Sequence, residues 1–170
     1  MTMKLLLLGI LTALATGFLG SCTHVQSNLI GPAGVELATP CEHDKTTFRC
    51  VKYIRNYDAD TITVEIPNIH PLLGENISVR VNGIDAPEMN GKNLCEKEAA
   101  RTAQKLIESI LKNAGRIDLN SVGRDKYFRV LADVSADGKL VKEILLNKEL
   151  AYEYHGGTKP TIDWCRFTKP

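Results

Sequence analysis

The chain has 170 residues, 44% of them hydrophobic and 24% charged, enough for one domain with a real core and too few for a second full domain. Its 21 basic and 20 acidic side chains leave a formal charge of +1, which excludes a protein that gathers phosphates through a global basic field. Whatever chemistry the chain performs must come from local placement of its charged residues.

The first 21 residues read as an export signal. Lys4 gives a short positive region, and 5–19 is an almost wholly apolar run. As a helix this run would rise about 22 Å, short of a hydrocarbon core of about 30 Å, so it suits a cleaved signal better than a permanent span. Leu19-Gly20-Ser21-Cys22 resembles the lipobox of bacterial lipoproteins, which implies that Cys22 becomes the acylated first residue. The alternative is ordinary cleavage after Ala13-Leu14-Ala15, leaving Cys22 a free thiol. Parity favours the lipid: the five cysteines are an odd number for an exported protein, and removing Cys22 leaves Cys41, Cys50, Cys95 and Cys165 to form two disulfides. Losing the signal also removes Lys4, so the 21 basic residues fall to match the 20 acids.

Residues 22–40 form a tether punctuated by Gly31, Pro32, Gly34 and Pro40, with a root-mean-square reach of about 23 Å as a flexible coil. The folded domain is expected over 41–170. Within it, alternating apolar residues predict strands over 48–57, 61–66 and 77–84, with an elaborated loop at 67–74. The period then changes. Ala99, Ala103, Leu106, Ile107, Ile110 and Leu111 share one face and predict the principal helix over 96–113, stopped near Gly115. Strands are expected at 116–121 and 127–134, a turn at Asp137-Gly138, and a second helix over 139–147. Such an order lacks the rhythm of a parallel sheet. It predicts an α+β fold, mainly β: a five-stranded Greek-key barrel of the OB type with two packed helices.

Four cysteines allow three pairings. Cys41 with Cys50 is favoured because it closes a short loop ahead of the first strand. Cys95 with Cys165 would tie the chain end to the start of the principal helix. No CxxC or Cys/His metal spacing competes, and His70 and His155 read as solvated loop residues.

Three segments concentrate chemistry: Asp58-Ala59-Asp60-Thr61, then Arg80 through Asp85-Ala86-Pro87-Glu88, then Asp125-Lys126-Tyr127-Phe128-Arg129. On their own, Asp58 and Asp60 could be turn formers, and Arg80 and Arg129 solvated strand residues. Together, in this order and over roughly 50–154, the segments resemble the staphylococcal nuclease family. The resemblance implies a calcium-dependent nuclease at the cell envelope, on the periplasmic or extracellular face, acting on DNA, RNA or both. Asp60 and Asp85 would bind Ca²⁺ through their carboxylates and Ala86 through its backbone carbonyl. Glu88 would take the proton of the attacking water. Arg80 and Arg129 would clamp the phosphate and stabilise the transition state.

Lys126 and Tyr127 match substrate-contacting positions of the family, and Tyr152 and Tyr154 offer faces for base stacking, or for packing. The membrane would be reached through the lipid, and no obligate protein partner is implied. Departures are Ala86, where the family has Thr, Phe128, where it has Gly, and a chain end in which Trp164 and Cys165 stand in place of a further long helix. With Phe at position 128, either the turn is rebuilt or the residue adopts an ordinary β conformation. One competing class is a non-catalytic OB-type binding module, against which the joint presence of Asp60, Arg80, Asp85, Glu88 and Arg129 argues; another is a structural envelope lipoprotein, which has no use for the carboxylate and arginine set.

Overall fold

The computed structural model describes residues 40–167. The predicted signal, Cys22 and the tether up to residue 39 lie outside the described residues. The described chain runs β1 (Lys52–Asn56), β2 (Thr61–Glu65), α1 (Pro71–Gly74), β3 (Ile77–Val81), β4 (Ile84–Asp85), α2 (Leu94–Asn113), β5 (Ile117–Arg124), β6 (Val130–Ala136), β7 (Lys139–Leu140), α3 (Val141–Asn147) and β8 (Tyr152–Glu153), and ends in a 3₁₀ turn, Trp164–Phe167.

All five predicted strands form one sheet in the order β1-β2-β3-β6-β5. Every pair is antiparallel except β3 with β6, which runs parallel through Val79↔Val130 and Arg80↔Leu131. The cause is visible in the side chains. Ile62 and Val64 of β2, and Val79 and Val81 of β3, alternate inward with almost no exposure, while Thr61, Thr63 and Arg80 point the other way. Against this face α2 lays Ala103, Ile107 and Leu111, and α3 lays Val141 and Leu145, giving a single core. Each large aliphatic side chain so buried contributes about 1.5–3 kcal/mol. Strand pairing does not close the sheet. Its ends β1 and β5 meet through the segment just before β1, where Phe48 exchanges two hydrogen bonds with Leu119 and the Val51 amide donates to the Ile117 carbonyl at 2.9 Å. The fold is thus α+β, mainly sheet, and of OB type in its strand order.

Several boundaries differ from the sequence expectation, each for a local reason. The elaborated loop contains a third helix, α1, whose first turn is capped by His70 Nδ1 accepting from the Leu72 amide at 3.2 Å. Helix α2 starts two residues earlier than predicted because Asn93 caps it, its side chain accepting from the Glu96 amide at 2.8 Å. At Asp137 and Gly138 both φ angles are positive (47° and 77°), the conformation of a tight hairpin turn. That turn makes 139–140 a strand paired to β6, so α3 begins only at Val141. The strand predicted over 127–134 begins at Val130 instead, since Asp125 draws 126–129 into a turn described below. Beyond the predicted elements, β8 pairs antiparallel with β4.

Cys41 is joined to Cys50, and Cys95 at the head of α2 to Cys165 in the 3₁₀ turn, with Cα separations of 5.4 and 4.9 Å. Loop-closure entropy gives stabilisations of about 2.5 and 4 kcal/mol for these spans. Trp164 is buried beside the second bridge and packs on Tyr152 with ring centroids 6.3 Å apart. Among the described residues, no helix is long and apolar enough to cross a membrane.

Candidate active site

The turn between β1 and β2 separates the roles of its two aspartates. Asp58 Oδ1 accepts from the amides of Thr61 at 2.7 Å and Asp60 at 3.2 Å, the work of a turn former. Asp60 is 4% exposed and aims its carboxylate into the domain. There Oδ1 meets Arg80 Nη1 and Oδ2 accepts from the Ala86 amide at 2.8 Å. The Asp60 carbonyl accepts from the Val81 amide at 2.8 Å, fixing the turn against β3.

On β3, Arg80 takes the polar face and lies between two carboxylates. Its Nη2 donates to Asp85 Oδ1 at 2.7 Å and to the Ile84 carbonyl at 3.0 Å. Asp85 is delivered by the reversal at Asn82-Gly83, where Gly83 has φ +82°, a conformation costly for any residue with a Cβ. Strand β8 then closes over Asp85, and the Tyr152 hydroxyl donates to Asp85 Oδ2 at 2.5 Å. Burial and this bond push the Tyr152 phenol well above its ordinary pKa, so it remains a neutral donor. The buried Pro87 leads to Glu88, whose side chain is 54% exposed. Lys159, from the segment after β8, donates to Glu88 Oε1 at 2.9 Å and meets Asp85 Oδ2 at 3.0 Å. Burial works against the Lys159 charge, but the bonds to Glu88 and Asp85 outweigh it and its pKa is raised.

The Asp58 carboxyl also belongs to this electrostatic group. Burial pushes it up, the Thr61 amide and the Arg80 charge pull it down, the Glu88 charge adds to the rise, and the net shift is upward. Three carboxylates, Asp60, Asp85 and Glu88, pair with two cations, Arg80 and Lys159, which leaves one formal negative charge in excess. Asp60 and Asp85 are hard oxygen donors beside the Ala86 peptide, Asp60 through the hydrogen bond from its amide and Asp85 as its chain neighbour, a donor set that fits a hard divalent cation. Among the described residues no three His, Cys, Asp or Glu side chains converge at ligating distance, so any such cation would take two carboxylates, main-chain carbonyl oxygen and solvent.

Lys126, Tyr127 and Arg129 lie on the β5–β6 turn. Asp125 Oδ1 accepts from the amides of Tyr127 at 2.8 Å and Arg129 at 2.9 Å, and Oδ2 from Arg129 Nε at 2.7 Å. Desolvation is the largest single influence and opposes ionisation, but the bonds from Arg129 and Tyr127 together outweigh it and hold the Asp125 carboxyl below its usual range. Lys126 Nζ and Arg129 Cζ lie 5.1 and 5.7 Å from the Tyr127 ring centroid, a cation on each count at interaction distance. Arg129 is thus engaged by its own turn and does not join the Asp60, Arg80 and Asp85 cluster directly. Arg80 pairs in register with Leu131 of β6, but Arg129 lies just ahead of that strand and its direction is set by the Asp125 turn. Phe128 has φ +63° and is 78% exposed. Its conformation is therefore not ordinary β. The left-handed turn suited to Gly is kept, with Phe paying about 1–2 kcal/mol of strain.

Of the two tyrosines after α3, Tyr152 is committed to Asp85 and Trp164 as a wall of the site. Tyr154 donates to the Gly157 carbonyl at 2.8 Å and meets Tyr152 edge-on at 6.4 Å. Lys159 and Asp125 were not among the expected functional residues. Asp125 was legible as the Asx residue heading a turn, whereas Lys159 sits in a Gly-Gly tail with no periodicity to mark it. A cleft lined by Val51, Tyr53, Leu111, Ala114 and Ile117 shares no residue with the carboxylate cluster.

The sheet of OB order thus carries two buried carboxylates, Asp60 and Asp85, with Arg80 between them. The profile of the staphylococcal nuclease homologue family matches residues 78–163, half of the chain. The chain belongs to this family. It is 34% identical over 143 residues to endonuclease YncB of Bacillus subtilis (strain 168), covering 81% of this chain and 64% of that protein. It is 37% identical over 111 residues to the SPbeta prophage-derived endonuclease YokF of the same organism, covering 62% of this chain and 35% of that protein. The staphylococcal-like nuclease CAN1 of Arabidopsis thaliana is 31% identical over 83 residues, 49% of this chain and 24% of that protein. The chain thus spans less than two thirds of each of these relatives.

Proposed function

We propose that this protein is an exported, lipid-anchored, calcium-dependent nuclease that hydrolyses phosphodiester bonds of DNA, RNA or both at a bacterial cell envelope. The observation that carries the reading is the cluster of three carboxylates, Asp60, Asp85 and Glu88, around Arg80 and Lys159, one formal negative charge in excess, in a chain of the staphylococcal nuclease family. Such a surplus at a sheet end suits a divalent cation together with the phosphate it neutralises.

Asp60, Asp85 and the Ala86 carbonyl would hold the calcium ion, and Tyr152 keeps Asp85 in place by its hydrogen bond. Bound there, Ca²⁺ supplies Lewis-acid charge to a phosphoryl oxygen. Glu88, open to solvent at the edge of the cluster, orients a water and takes its proton. The water oxygen bonds to phosphorus as the P–O ester bond breaks, and the departing sugar oxygen takes its electron pair and then a proton. Arg80, and Arg129 once released from Asp125, would provide planar donors for the charge that gathers on the phosphoryl oxygens. The exposed Lys126 and Tyr127 would contact a neighbouring nucleotide, and Tyr154, whose amide donates to the Gly83 carbonyl at 2.9 Å, would offer a further ring.

Lipid anchoring at Cys22 is supported by the apolar run and lipobox-like tetrapeptide, and by the two disulfides, which account for the other four cysteines. Asp60→Asn keeps the side-chain shape while removing a ligand charge. It is expected to raise the Ca²⁺ concentration for half-maximal cleavage by about tenfold or more, in keeping with the dependence of calcium affinity on ligand charge. A calcium titration of cleavage checks this, and an unchanged midpoint in a folded variant would remove Asp60 from the metal site.

A further inference from the structure

The segment carrying Lys159 is anchored at both ends. Gly156 and Gly157, with φ +98° and +93°, redirect the chain after β8, and the Tyr154 hydroxyl holds the Gly157 carbonyl. Six residues beyond Lys159, the disulfide fastens Cys165 to the head of α2. Between these anchors the ammonium bridges Asp85 Oδ2 and Glu88 Oε1 at 3.0 and 2.9 Å. It thereby joins a carboxylate assigned to the cation and the one assigned to the water. The Lys159 side chain remains 48% exposed, so it can leave its partners without unpacking the core.

We propose that Lys159 is a positioning residue of this site: its ammonium holds Asp85 and Glu88 together before a divalent cation arrives, and gives up Asp85 when the cation binds. The inference rests on the calcium reading given above. Asp85 Oδ2 already accepts from Tyr152 and faces Lys159, and an ammonium and a divalent cation repel each other too strongly to share it. Cation binding is then an exchange of one positive charge for two. The resting site is kept assembled at the expense of cation affinity, and the displaced ammonium, still tethered by the Cys165 bridge, stays beside Glu88.

Lys159→Gln and Lys159→Arg in the purified protein separate this from a packing role, using thermal melts in chelator and calorimetric titration with Ca²⁺, both without nucleic acid. Lys159→Gln is expected to melt lower in chelator yet bind Ca²⁺ tighter by about fivefold, the scale of one partly solvated charge interaction. Lys159→Arg, which keeps the charge, should stay near wild type on both readouts. A lower melting temperature with unchanged or weaker Ca²⁺ binding in Lys159→Gln would make Lys159 merely structural and overturn the exchange while leaving the calcium site standing. Tighter binding in Lys159→Arg as well would show that the charge is not the cause and would also overturn it. Failure of wild type and both variants to bind Ca²⁺ would overturn the calcium reading and the exchange together.

Discussion

Glu88→Gln is expected to lower turnover by about 10²-fold to 10⁴-fold, the usual contribution of a positioned general base, with little change in folding. The amide has the shape of the carboxylate but cannot accept the proton of an attacking water. Structurally it loses little. Glu88 is 54% exposed and its ion pair with Lys159 is half in solvent, and such pairs contribute about 0–1 kcal/mol. Steady-state cleavage alongside thermal melts checks the expectation. A folded Glu88→Gln protein that cuts at the wild-type rate would remove Glu88 from the reaction.

Arg80→Met carries the largest expected cost to stability, about 3–5 kcal/mol in chelator, because removing one partner of a buried ion pair strands the other. Here Asp60 is left without a counter-charge, while Asp85 keeps only Lys159. The Arg80 side chain is 14% exposed and those of Asp60 and Asp85 are 5% exposed, so both carboxylates would lose a buried counter-charge at once. Saturating Ca²⁺ should reduce the deficit, since a cation bound by the same carboxylates restores positive charge. Denaturant unfolding in chelator and in Ca²⁺ measures both effects. Unchanged stability in chelator would mean that the triad is not what holds this end of the sheet.

The sequence exposed the parts of the fold governed by periodicity. Ile62, Val64, Val79 and Val81 announced their strands by alternation, and Ala103, Ile107 and Leu111 announced α2 by helical spacing, because burial on one face is what those patterns record. What escaped was set by single hydrogen bonds. Tyr127 and Phe128 continue an alternating pattern into β6, yet Asp125 gathers the amides of Tyr127 and Arg129 and turns the chain there. Lys139 and Leu140 extend the apparent period of α3 but pair with β6 across the Asp137-Gly138 turn.

The site shows the same division. Asp60, Arg80, Asp85, Ala86 and Glu88 were named from their motifs, and the structure joins them through contacts among Asp60, Arg80, Asp85 and the Ala86 amide. Lys159 brings Glu88 into the cluster from about 70 residues further along the chain, by a fold in the tail that no local pattern encodes. Tyr152 was a face for stacking or packing in the sequence; its hydroxyl on Asp85 depends on the pairing of β4 with β8.

The central claim is that this carboxylate and arginine cluster hydrolyses phosphodiesters when calcium is bound. The most direct test is cleavage of labelled DNA and RNA by the purified wild-type protein, in Ca²⁺ and in an excess of chelator. Cleavage in Ca²⁺ that is lost in chelator and regained when Ca²⁺ is restored is the expected result. Equal cleavage in chelator, or binding of nucleic acid with no cleavage under either condition, would contradict it.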